Sequence, residues 1–321
     1  MESILASPTI VTIVVPCYNE EDVLPETINR LSRLLNDLEN SGIIAASSHA
    51  CFVDDGSHDK TWSIIKQQAE YNPQVRGLKL ARNRGHQFAL LAGLENAEGD
   101  VVVSIDADLQ DDISVIKQMI EQYQQGYDIV YGVRKLRSHD TRFKRMTAEG
   151  YYFLLRKMGV NIVYNHADFR LMSRRAIEAL KQYEEVNLFL RGIIPTIGFP
   201  HTIVEYDRAA RFAGESKYPV RKMLSLAVDG ITSFSSVPLR FIAGMGMVIF
   251  LLSLGLSCWV LFTKLFSDNA IPGWASSVLP MYLLGGIQLL SIGVLGEYVA
   301  KMYMETKKRP RYFIDDKTNR E

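Results

Sequence analysis

Asp106-Ala107-Asp108-Leu109-Gln110 sets two carboxylates at i and i+2 after the apolar run Val101–Ile105, and about fifty residues earlier Asp54-Asp55-Gly56-Ser57 ends a similar run. Side chains two apart on an extended backbone share a face, so Asp106 and Asp108 could grip one hard cation, with Gln110 adding or positioning a ligand. Mg²⁺ or Mn²⁺ bound by one or two carboxylates, waters and phosphate oxygens is the usual arrangement at a diphosphate. An isolated Asp-x-Asp is more often a solvated turn or a pair of capping carboxylates. Here it follows a buried strand and faces a second acidic strand end, which favours the cation.

Positioning those carboxylates requires a sheet. Ile10–Val15, Ala50–Val53, Gly77–Leu80, Val101–Ile105 and Ile129–Tyr131 are short β-branched runs, and between them lie helical patterns near Val23–Leu38, Lys60–Ala69, Gln87–Asn96 and Ile113–Gln124. This alternation predicts an α/β fold with a mostly parallel sheet covered on both faces. Pro25 suits a first helical turn, and Ser57 or Asp59 suits the cap of the helix entering Thr61-Trp62. Ligands of such sheets bind beyond the carboxyl ends of the strands. Asn19-Glu20, Asp54-Asp55 and Asp106-Ala107-Asp108 all fall there, so they are expected to converge on one crevice.

Composition narrows the partners. The chain has 321 residues, with 36 Lys and Arg against 36 Asp and Glu, and a net charge of zero gives no reason to expect nucleic acid. Charge is segregated, however: Leu239–Phe262 and Val278–Ala300 contain almost none. Cys17, Cys51 and Cys258 lie far apart without a CxxC spacing, which argues against zinc and against a disulfide framework and fits a reducing compartment. Met1–Thr9 lacks a basic segment followed by an apolar core, so no cleaved signal peptide is expected.

Four segments together, Val15-Pro16-Cys17-Tyr18-Asn19-Glu20, Val53-Asp54-Asp55-Gly56-Ser57, Arg82-Asn83-Arg84-Gly85 and Asp106–Gln110, resemble family 2 glycosyltransferases of the GT-A, Rossmann-like fold. Asp168-Phe169-Arg170-Leu171-Met172-Ser173, Gly214-Glu215-Ser216-Lys217-Tyr218, Gly296-Glu297-Tyr298 and Arg309-Pro310-Arg311-Tyr312 narrow the resemblance to bacterial polyprenyl-phosphate glycosyltransferases, notably the bactoprenol glucosyltransferases, relatives of dolichol-phosphate mannose synthase. The resemblance runs from about Ile10 to about Ile314. Its one minor departure is Cys17, at a place often filled by valine, for which no redox role is expected.

The resemblance implies a donor cradle. Pro16, Tyr18 and Glu20 would surround the nucleoside, Asp55 would hydrogen-bond the base or ribose, and Asp106, Asp108 and Gln110 would hold the metal. Arg134, Arg211 and Lys217 would neutralise the donor diphosphate or the acceptor phosphate, a role that also makes physical sense where two anions must meet. Lys217 follows the flexible stretch Ala213-Gly214-Glu215-Ser216, which suits a loop closing over the donor. Asp168 would lie beside sugar and acceptor, as general base or orienting group. A lipid monophosphate has a second pKa near about 6 and is largely a dianion at neutral pH, so positioning is the expected role, in an inverting, in-line attack. The alternative for Asp168 is a helix cap before Ser173-Arg174.

Length arithmetic brings in the membrane. Leu239–Phe262 and Val278–Ala300 are each a little over twenty residues, roughly 35 Å as helix against a hydrocarbon core of about 30 Å. Basic residues flank them at Arg221, Lys222 and Arg240 before the first, and at Lys301, Lys307, Lys308, Arg309 and Arg311 after the second, while the connection near Lys264–Pro280 is poor in positive charge. The positive-inside rule then predicts a multi-pass protein of the inner or plasma membrane, with its catalytic domain and both termini cytoplasmic. The expected organisation is a GT-A domain over 1–215, juxtamembrane amphipathic helices over 216–238, two transmembrane helices over 239–302 and a tail over 303–321. Glu297 reads as an anchoring or assembly residue, and the tail Arg309–Tyr312 could return to the domain or to a neighbouring protomer.

Rival readings differ in sequence. A processive polysaccharide synthase would carry Gln-x-x-Arg-Trp and more spans; a nucleotide dehydrogenase would carry GxGxxG after the first strand. Neither pattern is present. A catalytically silent, membrane-anchored nucleotide-sugar-binding scaffold is opposed by the intact Asp106, Asp108, Asp168 and Lys217. The resemblance favours UDP-glucose as donor and undecaprenyl phosphate in the bilayer as acceptor, with mannose or an aminoarabinose derivative as the alternative sugar, and it implies a homo-oligomer, a tetramer in the first instance.

Overall fold

The structure, a computed structural model, describes residues 8–135, 166–186, 188–207 and 274–318, with 239, 241, 242, 244–249, 251, 252 and 255. The chain divides into two compact units, one of 1–152, 161–218 and 308–321, the other of 153–160 and 219–307.

In the first unit the described residues form an eight-stranded sheet. The strands are β1 (Val11–Cys17), β2 (His49–Asp54), β3 (Val75–Leu80), β4 (Val101–Ser104), β5 (Ile129–Arg134), β6 (His166–Ser173), β7 (His201–Tyr206) and β8 (Ile314–Lys317), in the order β7-β5-β6-β4-β1-β2-β3-β8. β1 pairs in parallel with β2 and β4, β2 with β3, and β5 with β7, whereas β6 runs antiparallel between β4 and β5 and β8 antiparallel on β3. The sheet is thus α/β and mostly parallel. β1 and β4 are buried at every position, as near-continuous apolar runs covered on both faces must be.

Among the described residues of this unit the helices are α1 (Leu24–Asn40), α2 (Thr61–Tyr71), α3 (His86–Asn96), α4 (Val115–Gln124), α5 (Arg174–Lys181) and α6 (Leu190–Thr196). α1 begins with Pro25 in its first turn and buries Leu24, Thr27, Ile28, Leu31, Leu35 and Leu38, the stripe a surface helix presents to a sheet. α2 starts beside Asp59, whose carboxylate accepts from the Thr61 amide at 2.9 Å. α3 is buried continuously from Ala89 to Leu94 and approaches the sheet closely: a Cβ on Gly93 would lie 2.2 Å from Val14 Cγ1 and 2.9 Å from Val53 Cγ2.

Three strands, β6, β7 and β8, go beyond the sequence expectation, and the alternative reading of Asp168 as a helix cap does not hold. Asp168 lies within strand β6 rather than capping a helix; Ser173 caps α5, accepting from the Ala176 amide. β6, β7 and β8 are not evident as apolar alternations because each gains its place from a distant partner. The tail returns to the domain, where β8 closes the β3 edge.

The described part of the second unit centres on α7 (Trp274–Thr306), 33 residues with Pro280 inside. Among the described residues no helix is long and apolar enough to cross a membrane, so the two expected spans are not established here. Half of Leu239–Phe262 lies outside the described residues; Val278–Ala300 falls within α7. Arg211, Lys217 and the expected juxtamembrane helices over 216–238 lie outside them altogether.

Candidate active site

The strand order reverses at β1, with β2 and β3 on one side and β4 on the other, and a crevice opens beyond the carboxyl ends at such a point. Three strand ends meet there. Asp55 N donates to Cys17 O at 2.9 Å, joining the ends of β2 and β1, while Ile105 N donates to Val14 O at 3.1 Å and Thr27 Oγ1 to Ala107 O at 2.9 Å, fixing the segment that carries Asp106 and Asp108.

At the end of β4, Asp106 Oδ1 is buried with no hydrogen-bond partner among the described residues. Burial raises the Asp106 pKa; His86 opposes the rise, and Asp168, Asp111 and Asp108 add to it. An under-satisfied carboxyl crowded by carboxylates suits a divalent cation. Leu109 adopts φ 55°, a costly conformation for a leucine that turns the chain so that the Gln110 amide donates to Asp108 Oδ1 at 3.3 Å. Gln110 is buried. Among the described residues no three His, Cys, Asp or Glu side chains form a metal cluster, so a cation here would draw its remaining ligands from Gln110, water and phosphate, as Mg²⁺ commonly does.

The side of the crevice where a nucleoside is expected is built from β1 and β2. Pro16 is buried in β1 opposite Val53, Tyr18 is exposed at the rim, and the Glu20 amide is held by Thr61 Oγ1 at 2.9 Å. Asp55 is buried and accepts from two consecutive amides, Arg84 N at 2.7 Å and Gly85 N at 2.8 Å. Each carboxylate oxygen keeps a further lone-pair direction for a ligand. Cys17 is buried with its thiol pushed well up, by burial first and then by Glu20 and Asp54, and an unionised buried thiol is inert.

Asp168 lies where charges concentrate. Arg170 donates to its Oδ1, Arg191 donates through Nε to Oδ1 at 3.2 Å and through Nη2 to Oδ2 at 2.9 Å, and His86 Nε2 stands 3.4 Å from Oδ2 and 3.5 Å from Asp106 Oδ1. Burial disfavours the Asp168 charge, but His86, Arg170 and Arg191 outweigh it and hold the carboxyl well below the usual range. Ser104 Oγ donates to the Asp168 carbonyl at 2.5 Å, tying β6 to β4. Arg170 is fully buried, and its Nε and Nη1 have no partner among the described residues.

Arg134 is placed by β5 near the same end of the sheet, engaged with protein groups. Its Nη2 donates to Asp111 Oδ1 at 3.0 Å and its Nε to Tyr206 OH at 3.1 Å, while that hydroxyl donates to Asp111 Oδ1 at 2.5 Å. His86, Arg170, Arg191 and the Asp111–Tyr206 pair were not evident as site residues. Arg170 carried a signal, being two positions from Asp168 on one strand face; Arg191 carried none.

The family model described as glycosyl transferase family 2 matches residues 12–181, which contain the three strand ends and Asp168. The chain belongs to glycosyl transferase family 2. As a family 2 glycosyltransferase it is similar, at 52% identity over 96% of this chain and 92% of the relative, to the uncharacterized glycosyltransferase YkoT of Bacillus subtilis. It is 42% identical, over 95% of this chain and 98% of the relative, to a prophage bactoprenol glucosyl transferase homolog of Escherichia coli, and 42% identical, over 95% and 97%, to the bactoprenol glucosyl transferase of Shigella phage SfV. Among solved structures, glucosyl-3-phosphoglycerate synthase from Mycobacterium tuberculosis, in complex with Mn²⁺, UDP and glucosyl-3-phosphoglycerate, matches at TM-score 0.45 and 18% identity over 70% of this chain and 78% of that one.

Proposed function

We propose that this glycosyltransferase moves a hexose, glucose in the first instance, from a nucleotide sugar to a polyprenyl phosphate such as undecaprenyl phosphate. The observation that carries the reading is the reach of the similarity: bactoprenol glucosyl transferases match 95% of the chain, well beyond the family domain at 12–181.

The residues support an in-line displacement. The acceptor phosphate oxygen forms a bond to the anomeric carbon as the bond to the donor diphosphate breaks, the electron pair leaves on the diphosphate, and the configuration inverts. The acceptor, largely a dianion at neutral pH, has no proton to lose. Asp168, kept anionic by His86, Arg170 and Arg191, is poorly suited to accept one; it orients these groups beside the sugar. Asp106, Asp108 and Gln110 would hold Mg²⁺ or Mn²⁺, which when bound would offset diphosphate charge. Arg211 and Lys217 remain in this reading as the donor-side cations.

The acceptor places the protein at the inner or plasma membrane. Val278–Ala300 has Glu297 as its one charged residue, and Met281, Ile292, Leu295 and Val299 on α7 are exposed, as are Phe241, Met247, Val248, Leu251 and Leu252. So much exposed apolar surface suits lipid or a second copy of the chain. The flanking basic residues keep the catalytic domain and both termini cytoplasmic, and the unit is read as a homo-oligomer.

The experiment is transfer of labelled sugar from UDP-glucose to undecaprenyl phosphate by detergent-purified protein with Mg²⁺ or Mn²⁺. Metal-dependent label in the lipid phase, lost in Asp108→Ala, is expected. Retained nucleotide binding with no lipid product from any UDP or GDP sugar would refute the acceptor and leave the scaffold reading.

A further inference from the structure

The chain after α7 re-enters the sheet next to the donor crevice. As it approaches β8, Phe313 O accepts from Ala81 N at 2.9 Å and Arg311 O accepts from Arg84 Nε at 2.8 Å, so two positions of the β3–α3 loop are held by the tail. The tail is itself anchored. Arg311 Nη2 donates to Glu95 Oε1 at 2.8 Å and Nη1 to Tyr183 O at 2.9 Å, Tyr312 OH donates to Glu95 Oε2 at 2.6 Å, and Asn96 Nδ2 donates to Tyr312 OH at 3.2 Å. The Arg311 and Glu95 side chains are only 18% and 15% exposed, so the pair is a shielded one.

The opposite side of that loop carries Asp55. Its carboxylate is oriented by the amides of Arg84 and Gly85. The turn after it packs directly on the loop: Gly56 has φ +67°, and a Cβ there would lie 2.6 Å from Asn83 N and 2.7 Å from the Arg82 carbonyl carbon. Loop 82–85 is therefore clamped, with Asp55 and Gly56 inside and Arg311 outside. A loop of Arg-Asn-Arg-Gly has little intrinsic preference for one conformation, and Gly85 at φ 93° widens its freedom, so its amides need an external constraint to hold a carboxylate still.

We propose that the Arg311–Phe313 strap is a positioning element of the donor site: through Arg84 it fixes the amides that orient Asp55, and so sets nucleotide affinity without touching nucleotide. The inference rests on the reading of Asp55 as a donor-binding group. Misplacing a binding group by about 1 Å can cost up to about 10²-fold, which sets the scale of the effect.

The test uses the full chain in detergent, UDP binding in the presence of Mn²⁺ measured by calorimetry with GDP in parallel, and steady-state transfer. Arg84→Ala and Arg311→Ala are each expected to weaken UDP binding about 5- to 30-fold and to raise the donor KM, with the acceptor KM changed less than about twofold. Arg84→Lys, which can still donate to the Arg311 carbonyl, recovers part of the loss. Arg84→Ala combined with Asp55→Asn binds UDP no more weakly than Asp55→Asn alone, since both act through one carboxylate. If Arg311→Ala does not fold, Arg84→Ala carries the decision. UDP binding unchanged in Arg84→Ala, with Asp55→Asn impaired, overturns the strap and leaves the donor reading standing; full additivity in the double variant does the same. Asp55→Asn binding UDP and GDP like the unaltered protein overturns both.

Discussion

Arg191, on α6, meets both oxygens of Asp168, on β6, with Nε 3.2 Å from Oδ1 and Nη2 2.9 Å from Oδ2. The fork matches a carboxylate as two parallel hydrogen bonds, which fixes direction as well as charge. Arg170 and His86 complete the set from β6 itself and from the first residue of α3. A carboxylate so surrounded is a permanent anion through the physiological range.

Asp168→Asn is accordingly expected to lower turnover by about 10²-fold or more, because it leaves buried Arg170 and half-buried Arg191 without their counter-charge. Arg191→Lys loses the fork and is expected to recover little. Since the Asp168 pKa is depressed on folding, its stabilising contribution is present above the unfolded value of about 3.9 and disappears as pH falls through the lower folded value. No break in the turnover profile between about pH 6 and 8 is expected from Asp168. A wild-type break there that is absent from Asp168→Asn would contradict this assignment.

Arg134 offers a separation of structure from chemistry. Because Asp111 is buried and shares Arg134 with Tyr206, Arg134→Met should cost about 2–4 kcal/mol of stability by leaving the carboxylate with the Tyr206 hydroxyl and no counter-charge, measured by urea unfolding. Tyr206→Phe removes both the hydrogen bond to Asp111 and the one accepted from Arg134 Nε, and should cost about 2–4 kcal/mol. Lost turnover at unchanged stability in Arg134→Met would return this residue to the substrate.

His49 predicts an acid-side slope in stability. Burial lowers its pKa, Arg76 adds to this, and the Ser47 carbonyl and Glu98 oppose it. The unfolded chain therefore binds a proton that the folded one resists, so stability is full above about pH 6.5 and falls as pH drops from there through the lower folded value. His49→Gln should flatten that part of the curve, read as the denaturation midpoint against pH.

Gly93 tests the packing of α3 on the sheet. With only 2.2 Å between a new Cβ and Val14 Cγ1, Gly93→Ala should lose about 1–3 kcal/mol by overpacking despite better helix propensity. Val14→Ala in the same chain should return part of the loss; two independent, additive losses would mean the contact is not the cause.

Much of the crevice at the ends of β1, β2 and β4 could be read from the chain because it is local. Asp54-Asp55 and Asp106-Ala107-Asp108 each close a short, mostly apolar run, and β1 to β5 were legible within a few residues: β1 and β4, buried at every position, leave little else in their composition, while β3 is marked by Val75, Leu78 and Leu80 around the half-buried Arg76 and Lys79. The Asp-x-Asp spacing, the strand-helix alternation and the apolar content of Val278–Ala300 are properties of neighbouring residues, and neighbours are what a sequence displays.

What tertiary structure decided is partnership across distance. β6 and β7 are strands because β4 and β5 offer them edges, and β8 because β3 does, more than two hundred residues earlier in the chain. Asp168 became a pinned anion only when Arg191, 23 residues away, and His86, from another helix, were brought within hydrogen-bonding range. Asp55 acquired its orientation from a loop that the tail holds from outside. Side-chain identity determined which groups could carry charge or bind a cation; burial and the choice of neighbours determined their protonation and direction, because desolvation and Coulomb interactions depend on position in space and not on position in the chain.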